Sequence, residues 1–517
     1  MDGVVIGARV LDVLTTGMYP EALDALREYV QNSYDGIRKA ERVEVLKPNH
    51  GEVTVTINTL KREVSVRDNG IGIPSTEARS TLMSIGASKK RVGEEAGFRG
   101  IGRLAGLAYC DKLVFTTAYK DEPHYTELTF DAAEIRRTIS NSSRSAETET
   151  AAGLLVRATN HRLVECPPGM PFFEVRLLGV DPKACPFLEV DKVRSYLRQV
   201  APVEFNLHAF VYGHAKINPL LDQYKVRRVI NLTLVANGRS EAIKKPYKSQ
   251  HLAGTRNPKE VVISDIEIAV DPSETPRWVA WLSVAKDLSG VIASDDVRGI
   301  RLRSNNILIG DYSTFSRIFE KVQKSYFRMN GYYSGEVHFL DTDIVPNSRR
   351  DYFEDNEAWR EAERTLIEWA KPLVKRVYQN VDERKRGADL VERDAEMVFE
   401  AIDREAAQGF ATDAQRLKAV EKVQEQEERL EKAMTAERTP EELESLARKK
   451  EEAAARREQL MERRRSMVDE SSLNKGERKL LWLVLDVVNK VCGDEPTKKV
   501  AAEVDKRLNR KAPKKKA

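Results

Sequence analysis

The chain has 517 residues, which is enough for about three domains. Charged residues make up 32% of it, yet the formal net charge is only +4, so the charge balance argues neither for nor against a nucleic-acid partner. The longest apolar run, 480–485, is too short to cross a membrane. We therefore expect a soluble cytoplasmic protein. We also expect reduced thiols and no zinc site, because the cysteines show no paired spacing: Cys110, Cys166, Cys185 and Cys492.

The segment ALDALREYVQNSYDGIRKAE, residues 22–41, is predicted to form a helix. Glu28, Asn32 and Asp35 are spaced i, i+4, i+7 and share one face. A carboxamide oxygen is a hard, uncharged ligand for Mg²⁺, and a carboxylate one turn away can orient and deprotonate a water. For this helix alone, a solvated polar face is the better interpretation. Its apolar residues predict a buried stripe: Leu23, Leu26, Val30 and Ile37.

A first loop follows KREVSVRD, whose alternating apolar and polar residues predict a half-buried strand that ends at Asp68. Gly70 and Gly72 remove side chains just past this strand, so the backbone can lie against a flat ligand. An ionised aspartate only accepts hydrogen bonds, and a buried Asp68 would select a ring with an exocyclic amine, which is adenine. Taken alone, Asn69-Gly70 is a common turn.

A second loop contains Gly97, Gly100 and Gly102 within six residues. We predict a short helix that starts near Gly102 and then a strand, LVFTT. Glycine-rich loops that enter helix N-termini bind phosphates through free backbone N–H groups. The loop differs from the dinucleotide fingerprint, and it is no Walker A loop because no Lys-Ser/Thr follows the glycines.

Together, the helix and the two loops resemble the GHKL superfamily of gyrase, heat-shock-protein-90 chaperones, histidine kinases and MutL, which share the Bergerat ATP-binding fold. The resemblance covers roughly residues 20–120. It implies that Glu28 is the general base that activates water, that Asn32 is the Mg²⁺ ligand, and that Asp68 reads adenine. Asp35 joins them as a cofactor-binding residue. The resemblance also implies glycines beside the nucleotide and in a phosphate lid: Gly70, Gly72, Gly97, Gly100 and Gly102.

The segment SIGASKK, residues 84–90, would form the beginning of this lid, and Lys89 would approach a phosphate. Histidine kinases carry a similar pocket but transfer phosphate to a separate histidine domain. Here Glu28 is present and no histidine lies upstream in a helical hairpin, so we predict ATP hydrolysis. The Leu26-Arg27-Glu28 run with Asn32-Ser33 is similar to the chaperone branch, and Gly97-Phe98-Arg99-Gly100 is similar to MutL.

A loop near residue 350 is the candidate sensor of the γ-phosphate. In GEVHFLDTDIVPNSRRDYFED, Arg349 and Arg350 follow a Pro-Asn-Ser turn, and a guanidinium can bind a phosphate bidentately. The segment resembles the catalytic loop of the heat-shock-protein-90 middle domain, where an arginine follows Asn-x-Ser and precedes an acidic residue. By that resemblance Arg350 matches best and Arg349 is the runner-up. The alternative is local salt bridges to Asp351, Glu354 or Asp355.

The predicted fold is α/β, with a Bergerat-fold sandwich head in residues 1–190 and an α/β middle domain in residues 191–381. Residues 382–470 have a charged long-helix composition, and Thr439-Pro440-Glu441-Glu442 indicates a helix start, so we predict a helical hairpin or a coiled coil. Residues 471–517 contain an apolar helix, 477–492, that is a candidate for docking or dimerisation. The tail RLNRKAPKKKA is expected to be a disordered basic end.

The function we expect is a homodimeric clamp driven by Mg²⁺-dependent ATP hydrolysis. Three outputs stay open: remodelling of a polypeptide client as in heat-shock-protein-90-like chaperones, closure on DNA as in microrchidia (MORC) or MutL proteins with a role in anti-phage defence, and a scaffold that binds ATP but barely hydrolyses it. The chain departs from the chaperones, because it shows no acidic linker between the first two domains and no chaperone-like C-terminal dimerisation domain. It also shows no zinc-finger spacing.

Overall fold

Two β-sheets organise the first part of the chain in the computed structural model, which describes residues 6–13, 17, 21–86, 102–140, 149–182, 186–254, 258–285, 290–385, 388–408, 410, 413–435, 438–462, 468 and 473–509. The chain separates into two units, Met1–Val374 and Lys375–Ala517. The first unit contains both sheets, and the second is helical. The predicted α/β fold with helices at the C-terminal end is confirmed.

The first sheet has eight strands in the order β5-β4-β3-β6-β2-β1-β7-β8. Neighbouring strands within this sheet are antiparallel, except that β1 and β7 are parallel to each other. The predicted strand that ends at Asp68 is confirmed, because Val64 and Val66 are buried between more exposed residues. The strands are β1 (Glu52–Asn58), β2 (Glu63–Asp68), β3 (Lys112–Ala118), β4 (His124–Asp131), β5 (Thr159–Glu165), β6 (Phe172–Leu178), β7 (Asn231–Ala236) and β8 (Arg239–Ala242).

Helix α2 (Leu23–Arg42) packs against strands β1, β2 and β6. Its predicted apolar stripe is confirmed at Leu26, Val30 and Ile37, which are buried, and Leu23 is half-buried against the same core. A 3-10 helix, Gly102–Ala108, packs on α2 where the sequence predicts a short helix. The α-helices of this part are α1 (Val10–Asp12), α2 (Leu23–Arg42), α3 (Ser75–Met83), α4 (Ala132–Ser140), α5 (Ala151–Arg157) and α6 (Val190–Val200).

The first sheet continues beyond residue 190, where we placed the end of the head. Strand β7 pairs in parallel with β1, from Glu52 opposite Asn231 to Ile57 opposite Ala236. Its apolar residues Leu232 and Leu234 are buried in the core of the first sheet. The segment VRRVINLTLVANG therefore completes the first sheet instead of starting the second one.

The second sheet has six strands in the order β13-β12-β14-β11-β10-β9, with β12 and β14 parallel. Its core contains Trp281, which lies 4.9 Å from Tyr247 between ring centroids and also contacts Phe205 and Phe210. The strands are β9 (Gln250–Ala253), β10 (Lys259–Val270), β11 (Trp278–Ala285), β12 (Gly299–Ser304), β13 (Ile307–Ile309) and β14 (Ser334–Phe339). The helices are a π-helical turn (Gly213–Ile217), α7 (Asn218–Gln223), α8 (Ser316–Val322), a 3-10 helix (Lys324–Tyr332) and α9 (Glu357–Lys385).

The second unit consists of helices, and three of them pack around one apolar core: α10 (Ala388–Gln408), α11 (Asp413–Met434) and α12 (Pro440–Glu462). The predicted helix start is confirmed: Thr439 N–H bonds to Glu442 Oε2 at 2.9 Å, and Glu442 N–H bonds to Thr439 Oγ1 at 3.2 Å. A third helix, α10, joins the expected pair. Helix α14 continues through Asn509, so the start of the expected disordered tail is helical, and residues 510–517 of that tail lie outside the described residues. The helices are α10 (Ala388–Gln408), α11 (Asp413–Met434), α12 (Pro440–Glu462), α13 (Lys475–Cys492) and α14 (Asp494–Asn509).

No helix in the described residues is both long and apolar enough to cross a membrane.

Candidate active site

The polar face of α2 is enclosed by protein. Glu28 is 6% exposed and Asp35 is 3% exposed, while Asn32 is half-buried. A solvated polar face, the better interpretation of this helix alone, is therefore wrong. Burying a carboxylate is costly unless charged or hydrogen-bonding partners compensate, so these positions require partners within the fold or a ligand.

Asp68 is buried at the end of β2, beside α2. Burial raises the pKa of this carboxyl to about 7, and hydrogen bonds from the Ser33 side chain and from the Gly70 N–H limit the rise. The Gly70 nitrogen lies 2.9 Å from Asp68 Oδ1. From the sequence, Ser33 is named beside Asn32 but has no predicted role, because a serine inside a helix carries no distinctive spacing.

The glycines after Asp68 allow protein backbones to meet closely. A Cβ at Gly70 would lie 2.7 Å from the carbonyl carbon of Gly36 and 2.8 Å from Asp68 Oδ1. Gly72 has a φ of +68°, and a Cβ there would lie 2.0 Å from the carbonyl oxygen of Ala118. Both positions thus require glycine for contacts with α2 and β3. Their predicted role beside a flat ligand stays a prediction.

Gly102 lies directly against Glu28. A Cβ at Gly102 would lie 2.0 Å from Glu28 Oε2, so only glycine leaves room for this carboxylate. The 3-10 helix that starts at Gly102 is held on α2 by Gly106, whose N–H donates to the Tyr29 hydroxyl oxygen at 2.8 Å. The other predicted lid residues, Lys89, Gly97 and Gly100, lie outside the described residues.

The loop of residues 346–351, hereafter the arginine loop, brings Arg350 to α2. Arg350 Nε lies 3.4 Å from Glu28 Oε1, and the Arg350 side chain is 9% exposed. The residue adopts a φ of 54°, in the left-handed region, and its carbonyl oxygen accepts from Gly310 N–H at 2.7 Å. Asn347 Nδ2 donates to Asp351 Oδ1 at 2.7 Å within the loop. The structure therefore joins the candidate base and the candidate phosphate sensor, which are 322 residues apart.

The neighbouring arginine has different surroundings. The Arg349 side chain is 55% exposed, and its Nε lies 3.5 Å from Asp351 Oδ2. This is one of the local salt bridges that we considered as the alternative for both arginines, and Arg349 forms it while Arg350 contacts Glu28. Which arginine meets a phosphate stays a prediction.

The residues on α2 fit a Mg²⁺ ion that arrives with a nucleotide. In the part of the chain that the structure describes, no group of three or more His, Cys, Asp or Glu side chains could hold a metal ion. Mg²⁺ bound to phosphates needs only one or two protein oxygens and keeps several waters. Asn32 lies one turn from Glu28 and offers such an oxygen without a negative charge.

Comparison with known proteins supports this site. Residues 21–156 match the family model "Histidine kinase-, DNA gyrase B-, and HSP90-like ATPase". The matched range contains α2, the loop after Asp68 and the glycine-rich loop, which are the three motifs on which the predicted resemblance rests. No curated protein matches the chain. The match supports the placement of residues 21–156 in the GHKL superfamily of ATPase domains.

Proposed function

We propose that this chain is an Mg²⁺-dependent ATPase in which hydrolysis is coupled to the second sheet through the arginine loop. The observation that carries the proposal is the 3.4 Å contact between Arg350, in a loop that follows β14, and Glu28 on α2. Residues 21–156 supply the candidate nucleotide site, and Arg350 lies far outside that range. The candidate catalytic set is therefore complete only when the second sheet stands next to α2.

Each residue has one task in this proposal. Asp68 accepts a hydrogen bond from the adenine amine, and Asn32 would hold Mg²⁺. Bound Mg²⁺ would neutralise charge on the phosphates. Glu28 orients the attacking water and accepts its proton, which requires the carboxylate to lie within hydrogen-bond reach of that water.

Arg350 is positioned for two alternative partners. A γ-phosphate carries more negative charge than one carboxylate and presents several oxygens to a guanidinium, so it competes with Glu28 for Arg350. When Arg350 turns to the phosphate, it neutralises charge there and leaves Glu28 available as a base. Such an exchange makes hydrolysis depend on the placement of the arginine loop, as a clamp requires.

The second unit offers a surface for dimer formation. On α13, Leu481 and Leu485 pack against Val500 and other apolar residues of the α13–α14 pair. Another side of α13 exposes apolar residues at helical spacing, and solvent-exposed apolar faces of this kind mark interaction sites. We propose that this exposed face pairs with the same face of a second copy. Its residues are Leu480, Leu483, Val484, Val487 and Val491.

We favour a remodelling ATPase of the heat-shock-protein-90-like type over a clamp on DNA. The support is the arginine loop, which follows a strand of a second α/β sheet and reaches the candidate nucleotide site, as that resemblance implies. A salt titration of DNA binding, with and without a non-hydrolysable ATP analogue, tests the choice. Strong salt-dependent affinity that rises with the analogue would favour the MORC- or MutL-like clamp instead.

The ATPase proposal is tested on Glu28→Ala. ATP binding should persist and turnover should be lost, because the base disappears while Asn32 and Asp68 remain. Equilibrium binding and a steady-state ATPase assay measure the two effects. Glu165→Ala, an exposed carboxylate at the end of the edge strand β5, is the matched control and should hydrolyse ATP like the wild type. Turnover by Glu28→Ala at the wild-type rate would overturn the mechanism.

A further inference from the structure

Arg27 connects α2 to the arginine loop. It precedes Glu28, and its side chain is buried. Nη2 of Arg27 donates to the carbonyl oxygen of Arg349 at 3.0 Å, and Nη1 lies 3.2 Å from Asp24 Oδ1. One guanidinium thus binds the loop backbone next to Arg350 while a carboxylate one turn earlier on α2 holds it.

Asp24 also receives a hydrogen bond from another helix. The Tyr196 hydroxyl, on α6, donates to Asp24 Oδ1 at 2.9 Å, the same oxygen that Arg27 contacts. A carboxylate oxygen has two lone pairs and can accept both donors. Burial raises the pKa of Tyr196 well above its ordinary value, so its hydroxyl keeps its proton and remains a donor near neutral pH.

Helix α6 is itself fixed by the second sheet. Arg303 Nη2 donates to the carbonyl oxygen of Gln199 at 2.9 Å, and Arg301 Nη2 donates to Gln199 Oε1 at 3.2 Å. Both arginines are fully buried on β12, and Arg303 also pairs with the buried carboxylate of Glu336 on the adjacent strand β14. Tyr196 is therefore anchored, three residues before Gln199, to the same sheet from which the arginine loop emerges.

We propose that Tyr196 and Asp24 are positioning residues for the ATPase reaction, which fix Arg27 so that it holds the arginine loop with Arg350 at Glu28. The inference rests on the proposed function. An arginine side chain has many rotamers, and a carboxylate held by a second donor restricts them. The loop needs such support, because a non-glycine residue with positive φ is stable only where its surroundings impose that conformation.

The rival role for the same contacts is purely structural: they would attach α6 to α2 without affecting Arg350. The two roles predict different effects of removing the Tyr196 hydroxyl from a protein that already carries Arg350→Ala. If Tyr196 acts through Arg350, its hydroxyl has nothing left to position there, so its removal should have no further effect on kcat. A structural loss would lower activity in either background.

The test uses the full chain and the variant Tyr196→Phe, which removes only the hydroxyl. We expect kcat to fall about tenfold with KM for ATP unchanged, since loss of a hydrogen bond to a charged group is worth about that factor. Tyr333→Phe is the matched control, because its buried hydroxyl donates to the carbonyl oxygen of Leu373 at 2.7 Å, and it should keep the wild-type kcat. Asp24→Asn keeps an oxygen acceptor and should retain more activity than Asp24→Ala.

The outcomes separate the inference from the proposed function. A wild type that does not hydrolyse ATP overturns both. A wild type that hydrolyses ATP, with Arg350→Ala impaired and Tyr196→Phe normal, overturns the inference alone. A loss in Tyr196→Phe that persists undiminished in the Arg350→Ala background assigns the contacts a structural role and also overturns it. The expected result is a loss in Tyr196→Phe that disappears in that background.

Discussion

Replacing Gly102 by alanine should separate the folding of this protein from its catalysis. The added Cβ would lie 2.0 Å from Glu28 Oε2 and 2.7 Å from Glu28 Cδ, whereas ordinary contact begins at 3.4 Å. The carboxylate must therefore retreat by more than an ångström. Because the carboxylate is the end of a flexible side chain and Gly102 does not have positive φ, the carboxylate can move without a shift of the backbone. Glu28 is nevertheless displaced from Arg350 and from the place of its water.

Displacing a reacting group by 1 Å costs about 10²-fold in rate, so we expect kcat of Gly102→Ala to fall by about that factor. A steady-state ATPase assay measures kcat, equilibrium binding measures ATP affinity, and thermal unfolding measures stability. ATP affinity should change little. The variant should stay folded but lose some stability, because the movement weakens the buried pair of Glu28 and Arg350. Gly169→Ala is the matched control, since its Cβ would meet no atom closer than 3.8 Å. An unchanged kcat in Gly102→Ala would refute the assignment of Glu28 as the base in this geometry.

Three further predictions concern other parts of the molecule. Asp68→Asn should weaken ATP binding, because Asn presents an NH₂ donor to the adenine amine. In the wild type the folded-state pKa of Asp68 is raised from 3.8 to about 7, so its stabilising contribution is present below 3.8 and is lost as the pH rises through about 7. The unfolding midpoint should fall over that range, and less so in Asp68→Asn. Arg350→Ala should spare ATP affinity and slow hydrolysis by a factor smaller than the roughly 10³–10⁵ known for comparable arginines. A larger loss of activity in Arg349→Ala would show that Arg349, and not Arg350, senses the γ-phosphate. Leu480→Glu combined with Val487→Glu should give a monomer by light scattering, and an unchanged mass would exclude the α13 face as the dimer interface.

The sequence predicts the elements whose signals are local. Strand β2 and its end at Asp68 follow from a period of two, and the start of α12 follows from the capping pattern around Pro440. The three motifs of the candidate nucleotide site were found for the same reason, because each occupies one short segment with a distinctive order of residue types.

Long-range partners could not be predicted in the same way. The alternating apolar and polar residues of β7 predict a strand, but this pattern does not predict that β1 is the neighbouring strand. Likewise, Arg349 and Arg350 are equivalent in the sequence of the loop, and only the folded structure shows that Arg350 contacts Glu28 while Arg349 is exposed. The contact of Gly102 with Glu28 depends on tertiary packing of the 3-10 helix on α2, which no spacing encodes.

The parallel pairing of β1 with β7 bears on how this protein can be divided. The matched ATPase segment ends at residue 156, yet β1 completes its hydrogen bonding only when residues 231–236 have been synthesised. A fragment that stops at 156 or 190 would leave β1 as an open sheet edge, with unpaired N–H and C=O groups available to other chains. During translation the same edge stays exposed until β7 arrives. The nucleotide-binding segment is therefore expected to aggregate as an isolated fragment and to reach its final fold late in synthesis.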